Sequence, residues 1–271
     1  MAVPNKVADR LVAGLKRFQP VLQSALSRDV NESDTSMIVT DVLAGVFGYD
    51  KYSEITRELC IRGTYCDLAT RIDGKFQLLI EVKAIGGSLK DSHAKQAIDY
   101  AANQGIEWVA LTTGNLWRVF RVIFSKPIDA ELILDIDLLA LNPKTPSHIE
   151  SVYLLTRESM VKSGLQAFHD HLQATSRFYL GAVLLSDPVL ETVRRELRRL
   201  SDVKLELEEL RDALRKDVIK REVLEGDKAA AATRKVSKAA GKALRARRDQ
   251  TSEVVTEPEG APVADLATQE E

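Results

Sequence analysis

Residues 65 to 83 carry the clearest pattern of apolar and polar positions in the chain. The alternation, rich in β-branched and aromatic residues, predicts two strands joined by a tight turn at Asp73 and Gly74. The two apolar sets can face one core only if the loop holds an odd number of residues, because a two-residue turn would place them on opposite faces. These sets are Cys66, Leu68 and Ile72, followed by Phe76, Leu78, Ile80 and Val82.

Helical periodicity precedes this hairpin. Apolar residues at steps of three and four predict a helix over 6–28, which Pro20 should kink or divide. A second helix should begin at the capping cluster 31–34 and stop at Gly48.

Further strands and one more helix complete a core pattern. Alternation predicts a first strand over 54–62, and a helix is expected from about Leu89 to Gln104. Residues 107–114, apolar on both faces, predict a central strand, and residues 130–138 predict another. The fold class expected is α/β, with a mixed central sheet flanked by helices.

The C-terminal half predicts a helical extension and a tail. Residues 146–200 are helical in pattern, and Val203, Leu207, Leu210, Leu214 and Val218 form an apolar seam typical of a packed helix or a short coiled coil. A homodimer through these helices is one hypothesis. A basic arm extends from Lys228 to Arg248, and the acidic residues 249–271 should be disordered. The expected regions are 1–141, 142–225 and 226–271.

Composition limits the classes of function. The chain has 271 residues, 45% of them apolar, and a formal net charge of −2, so only a local basic surface could favour a polyanion. No run of eighteen apolar residues occurs, which predicts a soluble cytoplasmic protein with no membrane partner. Cys60 and Cys66 are too few for a four-cysteine zinc site and should be reduced thiols.

Candidate chemistry lies in the hairpin. With an odd loop, Asp67, Glu81 and Lys83 come to one side of the sheet. Magnesium takes oxygen ligands and keeps several waters, so one or two carboxylates can hold it beside a phosphate. A nearby lysine can orient a water or offset developing charge.

Asp67 followed by Glu81-Val82-Lys83 in an apolar strand resembles the PD-(D/E)XK nuclease superfamily. Within it, the chain is most similar to the N-terminal nuclease domain of type I restriction enzyme R subunits and their stand-alone relatives. The likeness covers roughly residues 25–140 and implies a restriction-endonuclease-like fold. It includes the run of Gly105, Ile106, Trp108, Leu111, Thr112, Thr113, Gly114, Trp117 and Phe120.

The resemblance implies a role for each candidate residue. Asp67 and Glu81 would bind Mg²⁺ or Mn²⁺, and Lys83 would serve the attacking water. Glu32 would assist the metal, unless it is only a first-turn carboxylate that favours the helix dipole. Glu58 is the alternative auxiliary carboxylate. Gln96 and Tyr100, four residues apart on the next helix, would support the substrate side.

Two departures from the family refine this expectation. Cys66 stands where many members have proline, and the sequence contains no G-x-x-x-x-G-K-[ST] loop, so it offers no ATP site. The predicted function is divalent-metal-dependent hydrolysis of DNA. The alternative is a catalytically inactive nucleic-acid-binding or assembly protein of the same fold.

Overall fold

The computed structural model describes residues 2–61 and 64–253 and divides the chain into two compact units, Met1–His169 and Asp170–Glu271. The acidic residues 254–271, expected to be disordered, lie outside the described residues. Within the described part of the chain, no helix is long and apolar enough to cross a membrane.

A mixed sheet of six strands, as far as the chain is described, forms the centre of the first unit. The strands follow each other in space in their chain order, and every neighbouring pair is antiparallel except β3 with β4. A parallel pair needs a crossover, and α3 (Asp91–Gln104) supplies it. The strands are β1 (Ile55–Ile61), β2 (Thr64–Ile72), β3 (Lys75–Val82), β4 (Trp108–Thr112), β5 (Leu116–Ile123) and β6 (Asp129–Asp137).

Two helices precede the sheet. The first, α1 (Asn5–Ser27), runs undivided through Pro20, so the expected division is wrong. Leu11 and Leu15 before the proline and Leu22 after it are all buried, and this packing holds both halves of the helix in place. The second, α2 (Glu32–Gly45), is capped as predicted by Asn31, whose side chain accepts a hydrogen bond from the Asp34 amide. It ends three residues before Gly48.

The sheet buries apolar residues on both faces, which confirms a mixed sheet flanked by helices. One face packs with α1 and α2 through β3 residues Leu78, Ile80 and Val82. Leu79, which points to the opposite face, packs with Ala97 and Ala101 of α3.

Cys66 corrects one expectation about these faces. It packs in the second core with Leu79, whereas Leu68 packs in the first, so the two do not form one apolar set. The break in alternation lies where the register sets Glu58 of β1 opposite Asp67. Glu58 has a backbone φ of 48°, outside the range of a regular strand.

The hairpin turn holds two residues, so the expected odd loop is wrong. Ile72 pairs with Lys75, and Asp73 and Gly74 between them have positive φ values of 50° and 77°, as a type I′ turn requires. The register shifts further along the hairpin, because Arg71 pairs with Phe76 while Thr70 pairs with Leu78. Gln77 is therefore an extra, bulged residue. The bulge supplies the odd residue that sequence reasoning assigned to the loop.

The remaining helices begin after β6. Ile149, Val152 and Tyr153 of α4 are buried in the first core, so the first unit extends beyond the expected boundary at 141. These helices are α4 (Pro146–Tyr153), α5 (Arg157–Val161), α6 (Gly164–Ala174), α7 (Arg177–Leu184), α8 (Asp187–Ser201), α9 (Leu207–Ala213), α10 (Arg221–Leu224) and α11 (Asp227–Glu253).

The apolar seam is not one continuous helix. Val203 lies between α8 and α9, and Leu214–Val218 forms a single π-helical turn. Val203 and Val218 are both largely exposed. The predicted homodimer therefore stays a hypothesis without a continuous helical seam to carry it.

Candidate functional site

Asp67 and Glu81 face each other across strands β2 and β3. Leu68 pairs with Ile80, and one step further the same register sets Asp67 opposite Glu81. The Asp67 side chain is fixed to β3, because its Oδ2 accepts a hydrogen bond of 2.7 Å from the Val82 amide. The bulge at Gln77 makes this meeting possible, since without it the two-residue turn would set Asp67 opposite Ile80.

Lys83 completes the group at the end of β3. Its backbone amide donates a hydrogen bond of 2.8 Å to the Thr112 carbonyl oxygen of β4, which holds the residue beside the parallel strand. Glu81 and Lys83 are two residues apart and share a face, and Lys83 Nζ donates to Glu81 Oε1 at 2.9 Å.

Glu32 reaches this group from the first turn of α2. Its Oε1 lies 3.4 Å from Lys83 Nζ, although 51 residues separate the two in sequence. The carboxylate is about half exposed, whereas that of Glu81 is almost fully buried. Of the two auxiliary carboxylates considered, Glu32 is the one in contact with the lysine.

Two residues that sequence reasoning missed position α2 against the sheet. Thr35 Oγ1 accepts a hydrogen bond of 3.1 Å from the amide of Ile85, just after β3. Gly86 lies against the turn that leads into α2, so close that a Cβ there would overlap Asp29 Oδ1. The paired glycines 86 and 87 were a signal for such a close approach, but the partner could be identified only from the structure.

Negative charge exceeds positive charge at the site. Burial raises the pKa of Glu81 above its ordinary value, and Asp67 and Glu32 add to this effect against the lowering action of Lys83. Burial likewise raises the pKa of Asp67, with Glu32 and Glu58 contributing. Burial by itself lowers the pKa of Lys83, but Glu81, Glu32 and Asp67 together raise it above the ordinary value. One ammonium thus offsets the carboxylates incompletely.

Glu58 remains on the margin of the group. It is exposed, and its charge contributes to the raised pKa of Asp67, whereas Glu32 acts on both Asp67 and Glu81. Its positive φ is strained for a glutamate.

Within the described residues, no three His, Cys, Asp or Glu side chains form a ready-made metal group, so Glu32, Asp67 and Glu81 are not a closed cage. The donor chemistry nevertheless fits a hard divalent cation that needs one or two carboxylates and keeps its waters. Each of the facing carboxylates uses one oxygen in a recorded hydrogen bond, Oδ2 of Asp67 and Oε1 of Glu81. Asp67 and Glu81 are the residues that would hold such an ion.

Gln96 and Tyr100 contact each other on α3. Gln96 Nε2 donates to the Tyr100 hydroxyl at 2.6 Å, and Tyr100 packs against the core that Leu79 and α3 share. Leu79 and Glu81 alternate onto the same face of β3, so the pair lies on the side of the sheet that carries the acids. The two side chains hydrogen-bond to each other, and their role on the substrate side stays a prediction.

Cys66 adjoins the site but does not suit a metal ligand. The thiol is free and buried, and burial raises its pKa to about 12, so it stays protonated at neutral pH. Its Sγ lies 3.4 Å from the carbonyl oxygen of Ile80.

Comparison with known proteins adds no neighbour: no family model, no curated protein and no solved structure matches this chain.

Proposed function

We propose that the chain is a divalent-metal-dependent nuclease that hydrolyses DNA phosphodiester bonds. The observation that carries the proposal is the meeting of Asp67 and Glu81 across β2 and β3, with Lys83 hydrogen-bonded to Glu81. This arrangement matches the roles that the PD-(D/E)XK resemblance implies for the same three residues.

The proposed division of labour follows from the contacts. Asp67, fixed by the Val82 amide, and Glu81 hold Mg²⁺ or Mn²⁺. When bound, the ion supplies charge stabilisation at the phosphate and a water of lowered pKa. Lys83, beside Glu81, positions the attacking water and offsets the negative charge that develops on the phosphoryl oxygens. Glu32 restrains the lysine from the other side.

Uncompensated charge argues for a functional rather than a structural role. Two partly buried carboxylates with raised pKa values destabilise the fold unless a cation joins them. Such perturbed groups in one place are typical of sites whose chemistry needs them. Gln96 and Tyr100, on the helix beside the same sheet face, are assigned to the substrate side.

The decisive experiment incubates plasmid DNA, linear DNA and RNA with the protein and Mg²⁺ or Mn²⁺. We expect nicking of DNA that needs the metal and falls by about 100-fold or more in Lys83→Ala and Asp67→Ala. Lys75→Ala is the matched control, because Lys75 is an exposed lysine on the same strand near the turn. It should cleave like the parent protein.

The outcomes separate the candidate functions. DNA binding without cleavage under either metal would favour the inactive nucleic-acid-binding alternative. Cleavage that survives Lys83→Ala would refute the assigned site, and preferential cleavage of RNA would correct the substrate.

A further inference from the structure

The last described helix, α11, presents an unusual concentration of positive charge. Between Lys228 and Arg248 the sequence has eight lysine or arginine residues and no aspartate or glutamate, although the whole chain has a formal net charge of −2. These charges therefore form a local field that the overall balance conceals.

Five of these basic residues, those whose side chains the structure describes, lie on one side of the helix. Ala229 and Ala232 are buried where α11 packs on α7, and Val236, four residues further on, lies on the same stripe and is partly buried. At about 100° per residue, the basic side chains fall within an arc of roughly 120° on the other side of the helix. All five are exposed: Lys228, Arg234, Lys235, Lys238 and Lys242.

This basic face is not neutralised by neighbours. Among the described residues, no ion pair involves any of the five side chains, whereas Arg211 in the same unit pairs with both Asp187 and Glu208. Lys235 makes only a cation–π contact, its Nζ lying 5.6 Å from the centre of the Tyr179 ring. Since nearby carboxylates leave the face unpaired, it remains open to an anionic partner.

We infer that this basic face of α11 binds the phosphate backbone of nucleic acid. From Lys228 to Lys242 the row extends for about 21 Å, long enough to follow several successive phosphates. An anionic membrane fits less well, because helices that lie on membranes insert large apolar residues. The buried residues of α11, as far as its side chains are described, are the small Ala229 and Ala232, in the helix that packs on α7. The inference concerns binding alone and does not depend on cleavage by the first unit.

The test measures binding of a fluorescent 30-base-pair DNA to the full chain at 50 to 300 mM salt, without divalent metal. Replacing Lys235, Lys238 and Lys242 with glutamine should reduce the slope of log affinity against log salt by about 2 to 3. The matched control replaces three lysines outside α11, Lys204, Lys216 and Lys220, all exposed and in the same unit. It removes the same charge and should leave the slope within about 0.5 of the parent value.

Each result decides for or against the inference. An unchanged slope in the α11 variant, or an equal reduction in the control, would overturn it. So would salt-dependent binding to vesicles of anionic lipid that the α11 substitutions abolish while DNA binding persists. Because the assay contains no divalent metal, metal-dependent cleavage does not contribute, and loss of phosphate contact is read separately from loss of cleavage.

Discussion

At the residue scale, the environment of Glu81 explains both its raised pKa and the loss of folding stability that the residue causes at neutral pH. The side chain is nearly inaccessible, faces Asp67 and has one close cation, Lys83. Desolvation and two neighbouring carboxylates outweigh that cation, so the pKa of Glu81 is raised rather than lowered. A residue kept in such surroundings makes the folded state less stable at neutral pH, which is a common property of functional sites.

Replacing Glu81 with glutamine tests whether the pKa of Glu81 is raised rather than lowered in the folded protein. A carboxyl whose pKa is higher in the folded than in the unfolded chain binds its proton more tightly when folded. The parent should therefore lose stability as pH rises from about 4.5, the ordinary value, through the raised pKa, and Glu81→Gln should not show this loss. The measurement is the difference in free energy of unfolding between variant and parent from pH 4 to 8.

Glu107→Gln, at an exposed position, is the control for that series and should track the parent. If Glu81→Gln instead became less stable relative to the parent as pH rose, Lys83 would be the dominant influence on Glu81, and the charge imbalance proposed for the site would be refuted.

At the element scale, the hairpin shows how one extra residue decides to which face of the sheet the following side chains of a strand point. With the two-residue turn and no bulge, Asp67 would lie opposite Ile80, and Glu81 would point to the other face of the sheet from Asp67. The bulge at Gln77 shifts the register by one residue and brings Glu81 opposite Asp67. The sequence pattern required an odd count between the two apolar sets, but it could not say whether the odd residue lies in the turn or in the strand. Bulges leave little trace in an alternating pattern of this length.

Deleting Gln77 is expected to be tolerated. Arg71 with Phe76 and Thr70 with Leu78 would become consecutive pairs of a regular ladder, and Glu81 would still face Asp67. We expect metal-dependent cleavage to persist and stability to fall by no more than about 2 kcal/mol, as judged by urea denaturation.

Deletion of both Gln77 and Leu79 provides the contrast. Because no bulged residue is left to absorb the second loss, Glu81 shifts by one position against β2, and cleavage should be abolished even in protein that remains folded by circular dichroism. Loss of cleavage in the Gln77 deletion, with folding intact, would contradict the role given to the bulge.

At the scale of the whole molecule, the site draws on segments far apart in the chain. Glu32 lies on a helix before the sheet, Asp67 in the second strand and Lys83 after the third. Hydrogen bonds from Val82 to Asp67 and from Ile85 to Thr35 hold these segments together. A cation bound by the facing carboxylates would bind the folded state far more tightly than the unfolded chain, so it should stabilise the first unit.

Divalent metal is therefore expected to raise the unfolding temperature. At a concentration ten times its dissociation constant, Mg²⁺ adds about 1.4 kcal/mol, which corresponds to an increase of a few degrees for a protein of this size. Differential scanning fluorimetry with Mg²⁺ and then excess chelator should show the shift and its reversal.

Asp67→Ala should lack this shift, and Lys75→Ala should keep it. A shift of equal size in Asp67→Ala would place the ion elsewhere in the protein.

The sequence alone determined the order and type of most elements and the chemical character of the candidate site. Alternation revealed the strands, Asn31 marked the start of α2, and Glu81 and Lys83 on either side of Val82 pointed to β3 as the strand of the candidate site. These features are local, because each depends on residues within a few positions of each other.

Only the tertiary structure decided which side chains meet. The extra residue of the hairpin is Gln77, and Cys66 packs in the second core. Helix α1 continues through Pro20, and Glu32 contacts Lys83. The physical reason is that the face to which a strand residue points, and the place where a helix packs, depend on contacts between segments distant in sequence. The energies of these contacts exceed the local conformational preferences of the residues.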